Sequence, residues 1–82
     1  EATLLPMPAR LARKLLQLQR MDTRHSMSQQ ALAEMMGVSR QSVARVLAQW
    51  VSEGWISTHY NRIDILDRQA LEVVAGHTGV PR

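Results

Sequence analysis

The stretch SQQALAEMMGVSRQSVARVLAQWVSEG, residues 28–54, decides the fold. It holds two helical patterns separated by Gly37-Val38-Ser39. Ala33, Gly37, Val43 and Val46 fall at the spacing that lets two helices cross closely. Gly37 supplies the positive φ that a sharp turn between helices asks for. Ser28 and Ser39 each stand just ahead of a helical pattern, where a hydroxyl can cap free backbone N–H groups. Before the turn, Leu32, Ala33 and Met36 share one face. After it, Val43, Val46, Leu47, Trp50 and Val51 recur at i, i+3, i+4, i+7 and i+8, a core stripe. Gly54 follows as a left-handed terminator. The spacing predicts helices over residues 29–36 and 40–53. This is a helix-turn-helix, a unit whose second helix is shaped to enter a DNA major groove.

Working outward, residues 1–7 contain Pro6 and no period, and read as a linker. Pro8 suits the first turn of a helix. Residues 8–20 place Leu11, Ala12, Leu15, Leu16 and Leu18 mostly on one face and Arg10, Arg13, Lys14 and Gln17 on the other. This predicts an amphipathic helix whose basic face reads as a solvated surface, with a DNA contact as the competing role. Met21 to His25 reads as a loop. Beyond Gly54 the period changes to two. Residues 55–59 and 63–66 read as short strands linked by Tyr60-Asn61-Arg62, so residues 55–66 form a hairpin wing. Asp67 caps a last helix over residues 68–75, with Leu71 and Val74 as its core contacts, and Gly76 ends it. Residues 77–82 read as a frayed tail. The expected fold is mainly α with a small β-hairpin, a winged helix-turn-helix spanning residues 8–76.

At 82 residues the chain has room for one small domain and one modest core. A hydrophobic content of 45% fits a folded chain. Ten Lys and Arg against seven Asp and Glu give a net charge of +3, which favours an acidic partner. There is no Cys, which excludes disulfides and thiolate metal sites. No apolar run reaches membrane-spanning length and no signal peptide is visible. A cytoplasmic module is expected, and the absence of an initiator Met reads as a fragment of a longer chain.

Three segments carry a family resemblance: Pro8-Ala-Arg-Leu-Ala-Arg-Lys-Leu-Leu16; Gly37-Val-Ser-Arg-Gln-Ser-Val-Ala-Arg-Val-Leu47; and Trp55-Ile-Ser-Thr-His59 with Ile63-Asp-Ile-Leu-Asp67. Together they resemble the C-terminal DNA-binding domain of the cyclic-AMP receptor and fumarate–nitrate regulator (Crp/Fnr) family, over roughly Met7 to Val74. The Gly-x-Ser-Arg-x-x-Val-x-Arg core is the most specific part. The resemblance implies a bacterial transcription factor in which a sensor domain and a long dimer helix precede this unit. It implies double-stranded DNA as the partner, a homodimer for the full-length protein, and RNA polymerase as a further partner. No cofactor is expected in this domain, and the effector of the sensor is not named by the residues.

The family's base-reading positions fall on Arg40, Gln41 and Arg45. The residues themselves support this. Gln41 and Arg45 lie one turn apart on the side opposite the core stripe. Arg40 flanks them, and the small Ala44 between them allows close approach to base edges. Arg offers a planar fork for guanine O6 and N7. Gln41 departs from the Glu common in the family. Glu suits cytosine N4, whereas Gln suits adenine N6 and N7. Phosphate contacts are expected at element ends. Ser28 and Gln29 open a helix whose free N–H groups favour an anion. Gln30 resembles a backbone-contact position of the family, and Ser39 and Ser42 flank the turn. His59, Asn61 and Arg62 form the wing tip: His59 matches a family backbone-contact position, and Asn61 stands where a Lys can occur. For Ser28 and Ser39, pure N-capping is the competing role, and both roles can hold at once. For His59 and Arg62, the competing role is a solvated tip.

Other chemistry finds little support. His25, His59 and His77 are far apart and lack Cys partners for zinc. No nucleophile elbow accompanies the Ser, His and Asp residues, so no catalytic residue is assigned. Gly76-His-Thr-Gly79 mimics a GxxG loop but lies in the tail. Trp50 and Trp55 read as packing residues and the five Met as core fillers. A membrane-surface helix would rest on residues 9–20 alone, whose apolar side the core consumes. The remaining alternative is a winged helix used as a protein-interaction module. Such a module would favour apolar or acidic residues at 40, 41, 44 and 45, where this chain has Arg, Gln, Ala and Arg.

Overall fold

The computed structural model describes residues 6–21, 28–59 and 62–76. The elements run α1 (Met7–Arg20), α2 (Gln29–Met36), α3 (Arg40–Ser52), β1 (Ile56–His59), β2 (Arg62–Ile65) and α4 (Arg68–Ala75). This is the expected winged helix-turn-helix order. Residues 1–5 of the expected linker, residues 22–27 with most of the expected loop, Tyr60 and Asn61 of the expected link, and the expected tail 77–82 lie outside the described residues.

Helix α1 starts at Met7, one residue earlier than the sequence suggested, with Pro6 at its N-cap position and Pro8 in its first turn. Neither proline removes a bond there, because the first N–H groups of a helix have no internal acceptor. Ser28 caps α2, its Oγ accepting from the Ala31 N–H at 3.0 Å. Gly37, at φ +70°, closes α2. In that closure the Val38 and Gly37 N–H groups donate to the carbonyls of Ala33 and Glu34. A side chain at Gly37 would be strained by that φ, which is why the turn takes glycine. Ser39 then caps α3, accepting from the Ser42 N–H at 3.1 Å. Helix α3 stops at Ser52, with Glu53 as C-cap, one residue short of the expected end.

The strands pair antiparallel, with Ile56 opposite Ile65, Ser57 opposite Asp64, Thr58 opposite Ile63 and His59 opposite Arg62. Residues directly opposite share a face. One face therefore carries Ile56, Thr58, Ile63 and Ile65, and the other Ser57, His59, Arg62 and Asp64. Ile56 and Ile63 are buried. Two boundaries differ from expectation. Arg62 is the first residue of β2 and not part of the link. Trp55 and Leu66 lie outside the strands and close the hairpin at its base. The Trp55 carbonyl accepts from the N–H groups of Leu66 at 2.8 Å and Asp67 at 3.0 Å, and the Trp55 N–H donates to the Trp50 carbonyl at 2.9 Å. Asp67 caps α4 by accepting from the Ala70 N–H at 3.1 Å, and Gly76 ends that helix.

Every element contributes to one core. Leu11, Leu16, Leu32, Val43, Leu47, Ile56 and Leu71 are its largest fully buried side chains. Helix α1 packs on α4, α2 on α3, and α3 on β1. Leu18 and Val74 are only partly buried at the rim, whereas Ala75, absent from the expected set, is fully buried. Val51 departs from the predicted stripe and is 41% exposed. Eight residues at about 100° each carry it roughly 80° past Val43, onto the side of Ala44. Trp50 is buried, and Trp55 packs partly against the core, so both serve packing. The methionines do not behave as a group of core fillers. Met36 is buried and Met7 packs at the rim, but Met21 and Met35 are exposed, and Met27 lies outside the described residues.

The basic face of α1 is also not simply solvated. The Arg10 Nη2 donates to the Met36 carbonyl at 2.8 Å. The Arg13 Nε donates to the Ala75 carbonyl at 2.9 Å. Each of those carbonyls ends a helix, where the backbone runs out of donors and the partial charge is negative.

Candidate nucleic-acid interface

Helix α3 is held by its buried side. Val43, Leu47 and Trp50 lock it into the core, and Ser39 fixes its start. What remains outside is the face with Arg40, Gln41, Ala44 and Arg45. Arg40, Gln41 and Arg45 are exposed, and Ala44 is half-buried. Among the described residues, none hydrogen-bonds or ion-pairs with the side chains of Arg40, Gln41 or Arg45. No Asp or Glu occurs anywhere in α3, so nothing on the helix competes for the two guanidinium groups.

An open groove of about 270 Å³ runs beside this face, lined by Gln29, Ala44, Leu47, Ala48, Val51 and Thr58. The first turn of α2, the middle of α3 and strand β1 therefore open onto one side of the molecule. Gln29 is on its wall, and Thr58 precedes His59.

The expected phosphate-contacting residues fall into two groups. The first sits at helix starts. The Ser28 Oγ is engaged as an acceptor, which leaves its O–H free to donate. Ser39 accepts from the Ser42 N–H and donates its own proton to the Ser42 Oγ at 2.9 Å. The free hydroxyl proton of this pair is thus that of Ser42, which is half-buried. The second group meets acidic neighbours. The Gln30 Nε2 donates to the Glu34 carboxylate at 3.0 Å, keeping one N–H. The Arg62 Nε donates to both carboxylate oxygens of Asp64, each at 3.1 Å. The His59 Nε2 stands 3.9 Å from the same carboxylate. Asn61 lies outside the described residues. Glu34 was legible in spacing, one helical turn from Gln30, whereas Asp64 shares a face with Arg62 only once Arg62 is placed in β2.

A capped helix pair at a glycine turn, followed by an antiparallel hairpin and a closing helix, defines the winged helix-turn-helix class. The chain matches the Crp-like helix-turn-helix domain over residues 9–74. It belongs to that family. A CRP-like cAMP-activated global transcriptional regulator of Mycobacterium tuberculosis is 34% identical over 73 residues, covering 78% of this chain and 33% of that protein. This chain thus spans about a third of the length of the curated relative. Among solved structures, a CRP-family transcriptional regulator from Thermus thermophilus is 37% identical with a TM-score of 0.78, covering 90% of this chain and 42% of that one. A CRP/FNR-family regulator of the same organism is 26% identical with the same TM-score of 0.78, covering 92% of this chain and 43% of that one.

Proposed function

We propose that this chain is the DNA-reading output domain of a bacterial Crp/Fnr-type transcriptional regulator. Helix α3 enters the major groove of duplex DNA. Arg40 and Arg45 donate to guanine edges, and Gln41 pairs with adenine. Ser28, Gln29, Ser39 and Ser42 face phosphates from the helix starts, where N–H groups and the helix dipole favour an anion. Gln30, His59, Asn61 and Arg62 extend that contact, the first and last only with the donors that Glu34 and Asp64 leave them. The observation that carries this reading is the α3 face itself. Two arginines and a glutamine stand exposed on a helix anchored from behind, with no described residue engaging them.

One copy covers one half-site, so two copies bind a pseudo-palindrome as a homodimer of the longer protein. Linking the copies makes the second binding event intramolecular. Effector sensing lies outside this domain, which needs no cofactor to read DNA. RNA polymerase is the expected partner at a promoter, and the cytoplasm is where the domain works. Among the described residues no helix is long and apolar enough to cross a membrane.

The test is a binding-site selection on random duplex DNA. It uses the chain fused to a dimerising coiled coil, with Arg45→Ala alongside. A palindromic motif that loses specificity in the variant is the expected result. Uniform, salt-sensitive binding with no enriched motif would overturn base reading and favour the protein-interaction module.

A further inference from the structure

We infer that Arg10, which lies on α1 and outside the α3 face, is a positioning residue for base reading: it holds the end of α2 from which α3 is launched. This role presupposes the DNA-reading function proposed above. The carbonyls at the end of α2 divide the work. Those of Ala33 and Glu34 are taken by the N–H groups of Val38 and Gly37. The Met36 carbonyl is taken by Arg10, 26 residues away in sequence, at 2.8 Å. That carbonyl belongs to the peptide plane joining Met36 to Gly37, where the chain leaves the helix for its left-handed turn. Holding the plane holds the direction of the turn. Only Val38 and Ser39 then separate Gly37 from α3, so an error at Met36 is handed to the recognition helix with little slack to absorb it. Base readout depends on paired, directional hydrogen bonds, which tolerate small displacements poorly.

Arg13 provides a matched comparison within the same helix. It also donates a guanidinium N–H to a terminal carbonyl, that of Ala75, at 2.9 Å. Its bond closes α4, however, and α4 does not lead into α3. Replacing either arginine removes one positive charge and strips one helix end of its donor. Only Arg10 stands at the turn of the motif.

The experiment measures affinity for the selected operator and for unrelated duplex DNA, each across a salt series. It compares the wild-type fusion with Arg10→Met and Arg13→Met, with folding checked by circular dichroism and thermal unfolding. The specific-to-non-specific ratio should fall on the order of tenfold for Arg10→Met, the scale of losing one well-placed base contact. The ratio should stay at the wild-type value for Arg13→Met. Equal ratios in the two variants would overturn the inference. So would a uniform weakening by Arg10→Met with the salt slope reduced by about one, the mark of a direct phosphate contact. Arg10→Ala, which removes the donor and suits a helix, serves if Arg10→Met does not fold. A lower ratio at an unchanged salt slope supports positioning, and an unchanged ratio overturns it. A wild-type fusion that selects no sequence would remove the DNA-reading role first and this inference with it, whereas a selective wild type with indifferent variants removes this inference alone.

Discussion

Helices α1 and α3 are built from similar material and put to different use. Both are amphipathic, neither contains an Asp or Glu, and both set arginines off the apolar stripe. In α1, Arg10 and Arg13 turn to the carbonyl ends of α2 and α4. In α3, Arg40 and Arg45 face outward, and no described residue meets them. The arginines do not differ; what the fold brings opposite them does. Two helix termini converge on α1, each with acceptors to fill. Nothing described converges on the exposed side of α3, so its donors remain for a partner.

The largest effect tests whether the two helices share one support. Leu11→Ala should cost about 2–5 kcal/mol, because Leu11 of α1 is fully buried in the core that also holds Val43, Leu47 and Trp50 of α3. That is a large part of the ~5–15 kcal/mol typical of a domain. Urea unfolding measures it, and a loss below about 1 kcal/mol would mean that α1 stands apart from the core. The next effect separates binding from folding. Arg45→Ala should weaken operator binding by about 1–3 kcal/mol while leaving the unfolding midpoint in place. A variant that unfolds early would show that Arg45 has structural work like that of Arg10, and the contrast would break.

Ser39→Ala should lower stability by about 1 kcal/mol through loss of the α3 cap. It also frees the Ser42 hydroxyl from its partner, so calorimetric unfolding and operator affinity should both respond. Gln41→Glu should have the smallest energetic effect. Stability should stay within about 0.5 kcal/mol, while one half-site position shifts its preference from adenine toward cytosine in a repeated selection. An unchanged motif would take Gln41 out of the reading face.

The motif and its caps were legible because their signals are local. Ser28, Gly37, Ser39, Gly54 and Asp67 announce element ends through their own backbone chemistry. The stripe from Val43 to Trp50 follows from helical period alone. The roles of Arg10 and Arg13 were not legible, because their acceptors are backbone carbonyls 26 and 62 residues away. Any residue has a carbonyl, so no side-chain pattern marks the partner. Val51 misled because the stripe drifts around a straight helix, and the position i+8 no longer lies under the core. The wing is an intermediate case. Placing Arg62 in the link hid its shared face with Asp64, so a one-residue boundary error concealed an ion pair. On α3, spacing separated the exposed side from the buried one, but the hydrogen bond from Ser39 to Ser42 depends on how the two side chains turn.

The bonds that close the wing sit at its base. Trp55 ties the end of α3, through Trp50, to Leu66 and to the capping residue Asp67. Among the described residues, the bonds of that closure all lie at Trp50, Trp55, Leu66 and Asp67, and none at His59 or Arg62. Lineages of this domain are therefore free to lengthen, shorten or rewrite the tip by insertion and deletion while the entry into α4 stays in register. Trp55 divides the hairpin into a stem that the fold requires and a crown whose residues can change without endangering it.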